Sequence, residues 1–360
     1  MEFSFSVTRL IFQTYFAPLI SISILITFIK ANISFTDNIN RCFLCACAAA
    51  ILLTVSDSVR FISAHMESPS IYRYISAGVG YSLRTLILYL TSVIAGRNEK
   101  KINLLYCIPL AACIITSIIS IFPFGKGLMF SFTESNKFIR GPLGFLPHFA
   151  CIFYTGQIIF YSARNFHHNK FEPIVVSLMA AAAFFAMILE NRYHFDFILS
   201  QVLIISIIFY FFFLLTYTYK HDTLTDFLSR RCFYLELKHF TKDPLIILSM
   251  DLNNLKVYND TKGHAAGDKA IVTVTVEMRK HFSKHAKLYR TGGDEFMAVF
   301  KKTSSQTVEE LIKEFQEDLS KTEYSVACGF AQYVPGDNVE KIISMSDEKM
   351  YANKAKMKGL

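Results

Sequence analysis

Residues 245–256 read Leu245-Ile246-Ile247-Leu248-Ser249-Met250-Asp251-Leu252-Asn253-Asn254-Leu255-Lys256. A short apolar run bounded by polar residues predicts a strand buried on both faces. Asp251 then stands at its carboxyl end, the rim of a sheet where ligand sites collect. Outward from this strand, the spacing predicts a helix over 265–282 and two strands, 287–291 and 295–300, on either side of Gly292-Gly293. A helix over 307–321, a strand over 324–332 and a closing helix over 339–356 follow. Short apolar runs separated by helices argue an α/β domain around a central sheet, and residues 220–360 are enough for one core.

Upstream the composition changes. The 360 residues include 35 Phe and 18 Tyr but no Trp, and only 18% are charged. Soluble domains carry about 25% charged residues, so much of this chain faces something other than water. That excludes a disordered chain and a purely cytosolic enzyme. Residues 1–219 hold 15 Lys and Arg against 9 Asp and Glu, and residues 220–360 hold 22 against 20. The net charge of +8 therefore reflects basic loops. No Lys/Arg stripe of the kind nucleic acid requires is present, and no nucleic-acid partner is expected.

Apolar stretches lie near 9–29, 42–63, 74–95, 103–123, 142–163, 173–190 and 196–219. Most approach the ~20 residues a helix needs to cross a bilayer. Residues 1–219 are thus expected to be an all-α membrane region of about seven spans, the first a retained span because no small-x-small cleavage site closes it. Asp57, Arg84, His148 and Glu190 lie in or near these spans, where ionisable groups are expensive and face the bundle interior. Intramembrane pairing and a sensor pocket both fit them. The seventh span ends at Tyr219-Lys220 with no Gly/Ser linker before Asp222, so the helix runs almost directly into the second domain. Cys42, Cys45 and Cys47 lack a matching His/Cys pair and read as helix packing rather than a metal site.

The polar half carries four features that belong together: Asp251 to Lys256, Asn259-Asp260, Gly263-His264 with Gly267-Asp268, and Arg290-Thr291-Gly292-Gly293-Asp294-Glu295-Phe296. Gly-Gly between strands allows positive φ and a close backbone approach to a ligand. Paired carboxylates beside it suit a hard divalent cation that shares its shell with phosphates. Asp251 and Asp294 on adjacent strands are candidates to hold one. The Walker spacing is absent, so Gly263–Lys269 is not a phosphate loop.

These residues, with Met350-Tyr351-x-x-Lys354 late in the chain, resemble the GGDEF family of diguanylate cyclases. The resemblance covers residues 222–358. It implies a central, mostly antiparallel sheet flanked by helices, like that of nucleotidyl cyclases and polymerase palms. It also implies a nucleotidyltransferase that condenses two GTP into cyclic di-GMP with release of two pyrophosphates. Asp251, Asp294 and the Leu252 carbonyl would hold magnesium or manganese, two ions per active site, and Glu295 would complete the acidic centre with Asp294. Lys256, Lys354 and Lys358 would hold the triphosphate, Asn259 and Asp268 would read guanine, and Gly292 and Gly293 would lie against the nucleotide. Each domain binds one GTP, so a homodimer through this domain and the membrane helices is implied. So is a bacterial cytoplasmic membrane, with the C-terminal domain in the cytoplasm and the membrane region as regulator.

The chain departs from the family pattern in places. Asp226 and Ser229 replace Gly and Asn in the opening motif Asp222–Arg231, Asn253 replaces a frequent Asp, Leu255 a frequent Phe, and Lys358 a frequent Arg. The product-inhibition motif Arg-x-x-Asp would fall at Ser283 and Ala286, so product inhibition through that site is not expected. A silent receptor that binds GTP or cyclic di-GMP and signals through a partner is the alternative function. It typically loses hairpin acids or glycines, and all five letters stand here.

Overall fold

Long apolar runs leave the backbone of the first half one economical way to satisfy its own polar groups, the helix. The computed structural model describes residues 2–32, 34–96, 104–122, 127–165, 171–193, 197–240 and 243–359. The chain divides into two units, Met1–Leu214 and Leu215–Leu360.

Seven long helices build the first unit: α1 (Glu2–Ala31), α2 (Asp37–Ala64), α3 (Ile71–Ala95), α4 (Ile108–Ile121), α5 (Leu146–Asn165), α6 (Phe171–Tyr193) and α7 (Ile198–Lys220). Five of them, α1, α2, α3, α6 and α7, are long and apolar enough to cross a membrane. Among the described residues, this is fewer than the seven apolar stretches of the sequence. α4 has 14 residues, short of the ~20 needed, and α5 carries His148, Gln157 and Arg164 among its apolar residues.

The unit is turned inside out relative to a soluble protein. Leu52, Val55, Ile115, Phe149, Phe185 and Phe209 are exposed, whereas Asp57, Arg84, Thr85, Ser117 and Ser200 are buried. Between α4 and α5 a small hairpin, β1 (Phe130–Phe132) and β2 (Phe138–Arg140), escapes notice in the sequence because its strands are three residues long. Its turn residue Asn136 has φ +62° and donates Nδ2 to the carbonyls of Ser63 (3.0 Å) and Met66 (2.7 Å) at the end of α2.

The second unit is a five-stranded sheet with β3 (Leu228–Ser229), β4 (Leu245–Leu252), β5 (Ala286–Arg290), β6 (Glu295–Lys301) and β7 (Val326–Tyr333) in the order β3-β5-β6-β4-β7. Only the β3–β5 pairing is parallel, so the sheet is mixed. β4 is central and buried throughout. Ile246, Leu248, Met250 and Leu252 enter the core beneath α10 (His264–Phe282) and α11 (Ser305–Leu319). Leu245 and Ile247 enter the opposite core, with Phe233 and Leu237 of α8 (Arg230–Phe240) and Ile342 of α12 (Val339–Met357). Strand alternation thus supplies two cores from one apolar run.

Two short helices, α8 and α9 (Leu255–Lys262), add to the elements expected from the sequence. Among the described side chains of α8, Phe233 and Leu237, one helical turn apart, are the buried ones. α9 begins after Asn254, which takes the left-handed conformation at φ +60°.

Candidate active site

Antiparallel pairing sets the centre. Asp251 on β4 is the register partner of Glu295 on β6, and the Leu252 amide donates to the Asp294 carbonyl at 2.9 Å. The acids expected at this rim therefore come from adjacent strands. Asp251 is buried at 4% exposure, Asp294 is half-buried and Glu295 is exposed. Burial pushes the Asp251 carboxyl above its ordinary range, and the nearby Asp294 charge pushes the same way. Lys354 and Lys358 pull against both. Lys354, from the last turn of α12, sets its Nζ 2.5 Å from Asp251 Oδ1. A buried carboxylate that feels a second carboxylate is a donor set that a hard divalent cation fits, and Asp251, Asp294 and the backbone at Leu252 could hold one.

Of the residues expected to meet the nucleotide, Lys354 and Lys358 act on Asp251, while Lys256, Asn259 and Asp268 lie on the helices that follow β4. Lys256 is exposed in the first turn of α9, and Asn259 is half-buried one turn later. The Asn259 carbonyl receives the Gly263 amide at 2.9 Å, and Gly263 itself needs φ +82°. Gly267 is required for a different reason: a Cβ there would stand 2.0 Å from Asn259 Oδ1. The spacing of Asn259, Gly263 and Gly267 is thus one packed corner, from which Asp268 projects, exposed, in the N-terminal part of α10. Lys358 is exposed just past α12.

The glycine tip differs from expectation. Neither Gly292 nor Gly293 has positive φ. A Cβ on Gly292 would meet Glu295 Oε2 at 2.6 Å, while Gly293 faces open space. The tip is held instead by Arg290, whose Nε and Nη2 donate to the carbonyls of Gly292 (3.2 Å) and Gly293 (2.8 Å). Its Nη1 donates to Asp222 Oδ1 at 2.9 Å. That oxygen also receives the Thr225 amide and hydroxyl at 2.9 and 2.8 Å. Burial works against the Asp222 charge, but the donors from Arg290 and Thr225 win and hold its pKa below the usual carboxylate range. Sequence reasoning missed the Arg290–Asp222 pair, which joins residues 68 apart.

The departures have local explanations. Asp226 takes φ +59° where the family has glycine, and its carboxylate accepts from the Tyr217 hydroxyl. Asn253 donates Nδ2 to Ser325 Oγ at 3.1 Å rather than adding charge to the acid pair. Ser283 caps the end of α10 and Ala286 starts β5. Arg279 donates to the Thr225 carbonyl at 2.8 Å. A second cluster, Glu277, His281 and Asp318, brings metal-ligating atoms together, but Lys280 and Lys321 sit 2.5 and 2.6 Å from Asp318 and make it an ion-pair network.

Residues 219–359 match the family described as "Diguanylate cyclase, GGDEF domain". The C-terminal segment is a GGDEF domain. The chain is 28% identical over 138 residues to the probable diguanylate cyclase DgcI of Escherichia coli K12, and 27% identical over 149 residues to diguanylate cyclase DgcN of the same organism. Each match covers 37% of this chain, and 30% and 36% of the respective relatives. Among solved structures, the coiled coil and GGDEF domain of DgcB from Caulobacter crescentus is similar, at 21% identity and TM-score 0.40, over 42% of this chain and 88% of that one. In this GGDEF domain, the Gly-Gly-Asp-Glu-Phe signature is the turn from β5 into β6.

Proposed function

We propose that the chain is a membrane-anchored diguanylate cyclase that condenses two GTP into cyclic di-GMP and two pyrophosphates. Residues 1–219 hold it in a bacterial cytoplasmic membrane and regulate it, and residues 220–360 do the chemistry in the cytoplasm. The observation that carries this reading is Asp251, a buried carboxylate at the rim of a GGDEF sheet that feels both Asp294 and the lysines of α12. In such a reaction the 3′-hydroxyl of one GTP attacks the α-phosphate of the other, in line. Asp251, Asp294 and the Leu252 carbonyl would hold a divalent cation, which when bound would lower the hydroxyl pKa and offset charge on the phosphate.

The side chains of this domain do the positioning. Lys354, which neutralises Asp251 without nucleotide, turns with Lys256 and Lys358 to the triphosphate as point charges. Asp268 accepts from guanine N1–H and N2–H, a pair that adenine lacks, and Asn259 joins it on the base. Gly292 leaves room for the nucleotide and for Glu295, and Arg290 keeps that tip in place. One domain holds one GTP, so two must face each other in a homodimer, and catalysis is largely positioning.

The test is product analysis by mass spectrometry of the full chain in lipid nanodiscs with GTP and magnesium. Cyclic di-GMP from the wild type and none from Asp294→Ala, at equal folding, is the expected result. GTP binding with no product, even when the chain is forced to dimerise, would overturn it in favour of a receptor.

A further inference from the structure

We propose that the membrane unit contains a binding site for an amphipathic organic anion, one acidic headgroup on an apolar body. A cavity of about 770 Å³ lies among α2, α3, the β1–β2 hairpin, α5, α6 and α7, within the ~300–1,000 Å³ range of ligand pockets. Its lining has two ends. Arg60, Arg73, Arg84, Arg140, His148 and Glu190 supply the polar one, and Ile152, Ile159, Ala183, Phe184, Met187 and Leu203 the apolar one.

The polar end is more than a self-contained ion network. Arg84 lies 3.3 Å from Asp57 and 3.1 Å from Glu190, and Arg60 lies 3.4 and 3.3 Å from the same two acids. Two cations thus answer two anions. Arg73 stands outside that balance: it is 9% exposed, and no carboxylate pairs with it among the described residues. Its Nη1 donates to the Asn136 carbonyl and its guanidinium lies 4.4 Å over the Phe132 ring. The buried Nε atoms of Arg73 and Arg84 and Nδ1 of His148 have no hydrogen-bond partner. Buried donors are nearly always satisfied, and a guanidinium that holds spare N–H groups in a cavity suits a carboxylate or phosphate. Arg140 adds a further guanidinium to the lining, 4.3 Å over the Phe145 ring. The apolar walls below take the ligand's hydrocarbon.

The site has a route to an output. Arg60 and Glu190 come from the C-terminal ends of α2 and α6, Arg73 and His148 from the N-terminal ends of α3 and α5, Arg84 from the middle of α3 and Arg140 from β2. α7 starts there: Phe197, Leu199 and Leu203 line the cavity, and Ser200 bonds both Asp57 and, at 3.3 Å, Arg84 Nη2. The same helix ends at Lys220. With that end in the cytoplasm, the start of α7 and the cavity residues beside it lie toward the other side of the membrane. An anion that recruits Arg84 competes with the bonds that hold Ser200, so ligand occupancy reaches α7. Its role as the input rests on the cyclase reading; binding itself does not.

The chain has no Trp, so Phe184→Trp gives a single fluorescent reporter on the apolar wall. The experiment titrates decanoate into the full-length reporter chain in phosphatidylcholine nanodiscs. Saturable emission change is expected with decanoate, at least tenfold weaker with neutral decanol. Arg140→Gln should weaken decanoate at least tenfold, the scale of one charged hydrogen bond, with partial recovery in Arg140→Lys. Ala183→Leu, which fills the apolar end, should weaken it independently if Arg140→Gln does not fold. No response to decanoate, but one graded with phosphatidylglycerol content and lost in Arg140→Gln, assigns the anion to a membrane lipid. No saturable response to either source, or equal binding of decanoate and decanol, overturns the site. A chain that binds decanoate but makes no cyclic product, with or without decanoate and even when forced to dimerise, keeps the site and removes the cyclase reading instead.

Discussion

On the cyclase reading proposed above, Asp251 sets both the chemistry and its pH limit. An acid whose pKa is raised by folding holds its proton more tightly in the folded state, so its ionised form at neutral pH opposes folding. The burial of Asp251 and the Asp294 charge give that sign. Asp251→Asn is therefore expected to leave the melting temperature of the cation-free chain at or above wild type while turnover falls by about three orders of magnitude. Calorimetry beside a product assay checks it, and a melting temperature several degrees lower would show that the Asp251 charge stabilises the fold. Magnesium affinity, measured by titration calorimetry, is expected to weaken on acidification already above the ~3.9 of an ordinary aspartate, because the proton and the ion compete for one carboxylate. Asp222 has the opposite sign. Its depressed pKa contributes stability at neutral pH that is lost only as pH falls below the ordinary carboxylate range.

Between elements, the turn from β5 to β6 is positioned from outside itself. Its tip carbonyls hang on Arg290, and Arg290 hangs on Asp222. Asp222→Ala removes the acceptor of Arg290 and of Thr225 together, and a lost charged hydrogen bond costs roughly 1.5–3 kcal/mol. Urea unfolding of the full chain is expected to show a loss of that size, with a raised KM for GTP because the glycine tip is no longer held. An unchanged KM would show that the tip holds its own shape. α12 depends likewise on Gly329, where a Cβ would lie 2.1 Å from the Met350 amide nitrogen. Gly329→Ala is expected to push α12 off β7, take Lys354 from Asp251 and destabilise by about 1–3 kcal/mol, read by the same unfolding assay. What could be read in the sequence follows from range. β4, α10 and the Gly-Gly turn are carried by local periodicity and adjacent residues. Arg290–Asp222 and Gly329–Met350 are meetings of residues far apart in the chain, and the three-residue strands β1 and β2 are too short to show a period. Asp226 at positive φ reads as a departure from the family pattern, but only the backbone shows why glycine stands there elsewhere.

At the scale of the whole chain, a buried charge cluster and an exposed apolar surface divide the labour in the first unit. Lipid offers no water to Asp57, Arg60, Arg84 or Glu190, so each depends on the others. Breaking a buried pair costs more than never having formed it, roughly 3–5 kcal/mol, because the remaining charge stays buried. Arg84→Leu is therefore expected to destabilise the membrane unit strongly, and Asp57→Asn in the same chain to recover part of the loss. Thermal unfolding in nanodiscs, followed by far-UV circular dichroism, checks both. If Asp57→Asn costs as much in the Arg84→Leu chain as in the wild type, the cluster carries no coupling. Ser200→Ala tests the link more gently, since it removes only the hydroxyl that α7 lends to Asp57 and Arg84. It is expected to change kcat of the full chain several-fold while KM for GTP stays at the wild-type value, because the side chains proposed to contact GTP are untouched. A shift in KM with kcat unchanged would place the effect of α7 on nucleotide binding rather than on the pairing of two domains.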